Sequence, residues 1–113
     1  MKKVKLYLLL IIFGMLLRAP SLYAASNNGN SLLEALEGQE KNDIGYRSGY
    51  FDGYVNGVAD FSGNVLWCPP QNVKAGQLSK IVANYLRAHP ERLHKGAETL
   101  VIEALSGPFP CKR

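Results

Sequence analysis

The chain has 113 residues, with 13 Lys and Arg against nine Asp and Glu. Four of the basic residues, Lys2, Lys3, Lys5 and Arg18, fall within the first 24, so the remainder balances at nine against nine, which excludes the basic surface a nucleic-acid partner requires. The roughly 89 residues after position 24 suffice for one small domain, at a size where the core is often supplemented by a staple.

Residues 1–24 read as a secretory signal peptide. Three lysines precede an apolar run from Leu6 to Leu17, and the small residues Ala24 and Ala25 mark a cleavage site after Ala24. A run of this length is short of the about 20 residues that span a bilayer, so no membrane association is expected after cleavage. The exported domain is then 25–113. Its only cysteines are Cys68 and Cys111. An even number in an exported chain makes one disulfide the default. In the chain-entropy model that closure disfavours the unfolded state by about 4 kcal/mol. Two free reactive thiols are the alternative, which neither a CxxC nor a nucleophile motif supports.

Ser31-Leu32-Leu33-Glu34 has the pattern of a capping box and predicts a short helix from Leu32 to about Leu36, ending near Gly38. A second helix is predicted from Asn42 or Asp43 to Ser62-Gly63. It contains Gly45, Gly49, Gly53 and Gly57 at intervals of four, with Tyr46, Tyr50, Tyr54 and Val58 directly after them. Steps of four turn about 400° around a helix, so glycines and tyrosines form two adjacent stripes. Each glycine costs about 1 kcal/mol against alanine inside a helix. Close approach of another helix or ring is the expected offset, and the stripe is read as a packing surface inside the bundle or between two copies. Arg47, Asp52 and Asn56 exclude a membrane span here.

Residues 62–73 follow as a loop that carries Val65, Leu66 and Trp67 before Cys68-Pro69-Pro70, and is expected to be pinned to the body through its disulfide. Leu78, Ile81, Val82, Tyr85 and Leu86 then mark one face of a helix from Ala75 to Ala88. Pro90 is expected to begin the last helix, lined by Leu93, Ala97, Leu100, Val101, Ala104 and Leu105. Gly107-Pro108-Phe109-Pro110 ends it and returns Cys111 towards Cys68. The predicted fold is all-α, a bundle of about four helices with one disulfide.

Residues able to carry chemistry are few. Glu91 and His94 have the ExxH spacing of carboxylate-bridged metal sites, without the second pair those sites need. His89 and His94 stand at a spacing that suits no HExxH zinc site. Glu37 with Glu40, and Asp52 with Asp60, read as exposed helix faces. No GxSxG, P-loop or dinucleotide signature occurs, so neither an enzyme nor a cofactor or metal is expected.

Gly53-Tyr54-Val55-Asn56-Gly57-Val58-Ala59-Asp60, then Trp67-Cys68-Pro69-Pro70, then Gly76-Gln77-Leu78 and Ile81 through Glu91, and finally Pro108-Phe109-Pro110-Cys111, resemble the Rap/Tai family of type VI secretion immunity proteins. The resemblance spans residues 45–111. Lys74 departs from it, standing where a threonine or serine would cap the following helix. The resemblance implies a periplasmic, helical, disulfide-bonded and often dimeric protein. Its partner would be a peptidoglycan-cleaving amidase effector injected by sister cells. The family pattern is structural and transfers no inhibitory residues; Asn64, Gln71, Asn72 and Lys74 are candidate effector contacts because they decorate the loop. The alternative is a small periplasmic acid-stress chaperone of the HdeA-like kind, also helical, of similar size and with one disulfide; a structural or envelope-assembly adaptor is a third reading.

Overall fold

The computed structural model describes residues 1–16, 27–41 and 46–112, without the side chains of residues 15, 16 and 46–48. Helix α1 (Lys2–Leu16) carries most of the apolar run near the start of the chain, and every side chain described in it is exposed. No helix among the described residues is long and apolar enough to cross a membrane. The proposed cut after Ala24 lies outside the described residues.

The remaining helices form the all-α bundle expected from the sequence. They are α2 (Gly29–Glu40), α3 (Tyr46–Ser62), α4 (Ala75–Ala88) and α5 (Ala97–Ser106), and each packs against the other three. Their common core holds Leu32, Phe51, Val55, Val82, Leu86, Leu100, Val101 and Leu105, all at most 1% exposed. The stripe predicted for α4 faces it: Leu78, Val82 and Leu86 are buried, Ile81 and Tyr85 half-buried, Lys80 and Arg87 outside. Arg87 pairs with Glu40 and so ties α4 to the end of α2.

Two helix boundaries differ from expectation. The cap of α2 is Asn28, not Ser31. Asn28 Oδ1 accepts from the Ser31 amide at 3.0 Å, and the Asn28 amide donates to Ser31 Oγ at 3.1 Å, a reciprocal box one turn earlier than predicted. Contacts distant in sequence select it. The Gly29 amide donates to Lys95 O and the Asn30 amide to Leu93 O, both at 3.0 Å, while the Ala97 amide donates to Asn27 O at 2.8 Å. The first amides of α2 and α5, which have no partner within their own helices, are thereby satisfied by each other's approach segments. The helix also passes Gly38 to end at Glu40, held by burial of Leu32, Ala35 and Leu36. At the other boundary, Pro90 opens only a 3₁₀ turn (Pro90–Arg92), and α5 begins at Ala97. All six residues expected to line the last helix are nevertheless buried, Leu93 from the intervening turn.

A polar cluster holds that turn. Glu103 on α5 pairs with Arg92, lies 3.6 Å from Lys95 Nζ and accepts from Tyr85 Oη at 3.0 Å. Burial pushes the Glu103 carboxyl up, but hydrogen bonds from Arg92 and Tyr85 and the charges of Arg92 and Lys95 outweigh it, leaving it below the usual carboxylate range. The Tyr85 hydroxyl is raised by burial and by its bond to Glu103.

Candidate functional site

The segment from Gly63 to Lys74 joins α3 to α4 and is built in two parts. The first is a tight reversal: the Val65 and Leu66 amides both donate to Ser62 O, at 3.2 and 2.9 Å, and the Asn64 amide donates to Trp67 O at 2.8 Å. Trp67 anchors it. Its ring is 2% exposed, and Nε1 donates towards Ser62 Oγ at 3.2 Å and Ala59 O at 3.3 Å. Ser62, itself buried, donates to Val58 O at 2.6 Å, so every polar atom in this anchor has a partner. With the tryptophan turned inward, the reversal projects Val65 and Leu66 outward, 74% and 54% exposed. Of the three apolar residues that suggested a pinned loop, one forms the pin and two form the tip.

The second part runs from Cys68 to Lys74. Cys68 is bonded to Cys111, the pairing expected from the cysteine count, with the two Cα atoms 4.8 Å apart. The Cys68 amide donates to Phe109 O at 2.9 Å, and the Phe109 ring lies 6.2 Å from Trp67. Pro70 to Val73 form a turn closed by a 3.4 Å bond from the Val73 amide to Pro70 O. Lys74 does not prevent the helix start: Gln77 reaches back and accepts from the Lys74 amide at 2.8 Å, supplying the half of a capping box that lysine cannot.

The four candidate contacts Asn64, Gln71, Asn72 and Lys74 are all exposed on this loop. Asn64 and Asn72 also have a backbone role, with φ of 62° and 63°. That left-handed conformation disfavours most side chains and is tolerated by asparagine, whose short amide bonds locally. The loop is flanked by two recesses. One, of about 250 Å³, lies between it and the start of α4 and includes Asn64, Trp67 and Val73. The other, of about 530 Å³, is an apolar groove lined by Gly57, Val58, Phe61, Val65, Leu66, Ile102 and Glu98. Phe61, at 93% exposure, stands at its edge.

The glycine stripe leads into this groove, and of the two expected roles, packing inside the bundle or between two copies, its direction removes the first at Gly49, Gly53 and Gly57. A Cβ built on Gly49, Gly53 or Gly57 would meet nothing within 4 Å. The buried side of α3 is instead Phe51, Val55 and Ala59, the same interval of four displaced by two residues, hence about 200° around the helix. Tyr50 and Tyr54 lie at the boundary, half-buried against the core with ring centroids 5.9 Å apart. Tyr54 Oη is 3.5 Å from Glu98 Oε2; burial and that carboxylate raise its pKa. Gly45 and the Tyr46 side chain lie outside the described residues. The apolar lining of the groove was not foreseen; the signal was Phe61 directly before a loop with two further apolar residues.

The acidic and histidine candidates are occupied structurally or stand apart. Asp52 Oδ2 accepts from Gln39 Nε2 at 2.8 Å, and Glu40 pairs with Arg87, while Glu37 and Asp60 are exposed. The His89 ring stacks on Tyr85 at 4.2 Å, with Nδ1 2.8 Å from Tyr85 O. Glu91 and His94 fall on the 3₁₀ turn and the turn that follows it, not on one helix face. Among the described residues no three His, Cys, Asp or Glu side chains gather as metal ligands would.

A search of curated proteins returned no match. The family model described as Rap1a immunity proteins matches residues 28–111, from the Asn28 cap of α2 to the disulfide cysteine Cys111, and so takes in α2 as well as the stretch whose motifs showed the likeness. Since that match covers the whole bundle and well over half of the chain, the protein belongs to the Rap1a immunity protein family.

Proposed function

We propose that this immunity protein neutralises a type VI secreted peptidoglycan amidase in the periplasm, and that the α3–α4 loop is the element entering or covering the enzyme's cleft. Residues 1–24 are the leader that carries it there. The chain acts as an inhibitor and performs no catalysis.

One observation supports the loop more than any other: an apolar tip, Val65 and Leu66, stands exposed on a base fixed by the buried Trp67 and the disulfide. A rigid element loses little conformational entropy on binding, and exposed apolar side chains at its tip regain area when covered. Asn64, Gln71, Asn72 and Lys74 flank that tip as the polar rim. The outer face of α3, smooth at Gly49, Gly53 and Gly57 and bordered by Phe61, is the surface proposed for a second copy.

The test is an inhibition assay against a type VI peptidoglycan amidase effector of the producing strain, with peptidoglycan cleavage as the readout. Val65→Asp combined with Leu66→Asp is expected to raise the inhibitor concentration needed by at least about tenfold, equivalent to about 1.4 kcal/mol. Alanine at Asn64, Gln71, Asn72 and Lys74 is expected to give a smaller loss. Undiminished inhibition by both variants would remove the loop from the mechanism.

A further inference from the structure

We propose that the Cys68–Cys111 disulfide licenses the loop, so that the chain gains its full affinity for the effector only when oxidised. The inference rests on the reading of the loop as the effector-binding element.

The two parts of the loop are held by different bonds. The hydrogen bonds that fix residues 63–67 are confined to positions 58–67: the amides on Ser62 O, the Asn64 to Trp67 bond and the indole of Trp67 on Ala59 O and Ser62 Oγ. None involves sulfur. Residues 68–74 have much less. Pro69 and Pro70 offer no amide, the turn ending at Val73 is closed by one long bond of 3.4 Å, and the Lys74 amide is capped from within α4. What fixes this part to the body is the Cys68 amide on Phe109 O, partial burial of Val73, and the disulfide.

The partner of that attachment is equally dependent on the bond. After α5 the backbone is led out by the Gly107 amide on Glu103 O at 3.3 Å and the Phe109 amide on Leu105 O at 3.1 Å, and then passes Trp67 to Cys111. Without the bond, residues 68–73 are held chiefly at their junctions with Trp67 and α4, and the described residues after Phe109 through the end of α5. They would separate together, leaving the reversal at 63–67 and the helices in place.

The chemistry is a two-electron oxidation. The thiols of Cys68 and Cys111 lose two protons and two electrons, and the disulfide of an exchanging oxidant is reduced to a dithiol through a mixed-disulfide intermediate. A reducing cytosol holds the pair as thiols, and an oxidising compartment closes it. The chain would then pass through the compartment where its effector is made without sequestering it, and become competent after export.

The experiment compares residues 25–113 oxidised, the same chain reduced, and the Cys68→Ser/Cys111→Ser variant. The span omits α1, whose described side chains are all exposed. Amide hydrogen exchange is read first, without effector. Protection is expected to fall at position 68 and at Val73, while Asn64 to Trp67 and the helices keep theirs. Emission from Trp67, the single tryptophan, should shift as the tail departs. Unchanged exchange, or loss of the helical circular dichroism signal, would overturn the proposal while leaving the effector reading untouched. Affinity for the same amidase effector is measured next. A fall of about 100-fold or more on reduction is expected; local release with unchanged affinity would overturn the licence and show that residues 68–74 make no effector contact.

Discussion

Gly29 and Gly53 lie in neighbouring helices and have opposite reasons to lack a side chain. A Cβ on Gly29 would lie 2.4 Å from Leu100 Cδ1, 2.8 Å from Leu93 Cα and 2.9 Å from Leu93 O. Two of those atoms are backbone, held by the amide bonds that stitch α2 to the 93–97 turn, so they cannot move aside without breaking them. Gly53 has open space above it. Alanine at Gly29 is therefore expected to destabilise the domain by about 2 kcal/mol or more, in the range of overpacked cores. Alanine at Gly53 is expected to stabilise a dilute, monomeric chain by roughly 1 kcal/mol, the helix-propensity difference. Urea unfolding of the two variants beside the parent checks both signs. The sequence displayed the Gly45 to Gly57 stripe conspicuously and Gly29 hardly at all, because a periodic pattern is visible locally and a clash with residues more than 60 positions away is not.

Among the elements, α4 was legible in its bounds and in its core face from Leu78 to Leu86, while the burial of Ser79 and Ala83 beside that stripe was not. Helix α3 was legible as a helix but not in its orientation. Two stripes at the same interval compete there, and the one carrying Phe51, Val55 and Ala59 takes the core because it buries far more apolar area than glycine can. The α2 start was misplaced for a similar reason: Asn28 with Ser31, and Ser31 with Glu34, are overlapping capping patterns, and only the contacts to Leu93 and Lys95 select the first. The outward glycine face carries a prediction of its own. A leucine at Gly53 projects into open space, so helical content should be retained, while a dimer formed on this face should dissociate in sedimentation equilibrium. An unchanged dimer would place the second copy elsewhere. The turn between α4 and α5 gives a pH dependence. Because the folded carboxyl of Glu103 sits below its ordinary value of 4.5, the stability it contributes is complete above that pH and is lost as the pH falls through the folded value. Glu103→Gln cannot ionise. It should melt lower than the parent at pH 7, and its melting temperature should vary less between pH 5 and 3.

At the scale of the molecule, the fold class, the single disulfide and the family were readable from the sequence, because helix periodicity, cysteine counting and motif order are properties of the linear chain. The candidate site was readable only in part. The loop was located and its polar residues named, but which of Val65, Leu66 and Trp67 turns inward depends on the indole finding Ala59 O and Ser62 Oγ across the end of α3. The bundle is a platform: α2, α4 and α5 close a core beneath α3, leaving its glycine face, Phe61 and the Val65–Leu66 tip as contiguous exposed surface. Such a surface suits an inhibitor recognising another protein. The most direct test is a calorimetric titration, at neutral pH, of the oxidised chain into the type VI peptidoglycan amidase effector of the producing strain, with peptidoglycan cleavage assayed in the same samples. Immunity by direct inhibition predicts nanomolar binding, about 12 kcal/mol, and loss of cleavage at stoichiometric protein. No heat with full cleavage would contradict it.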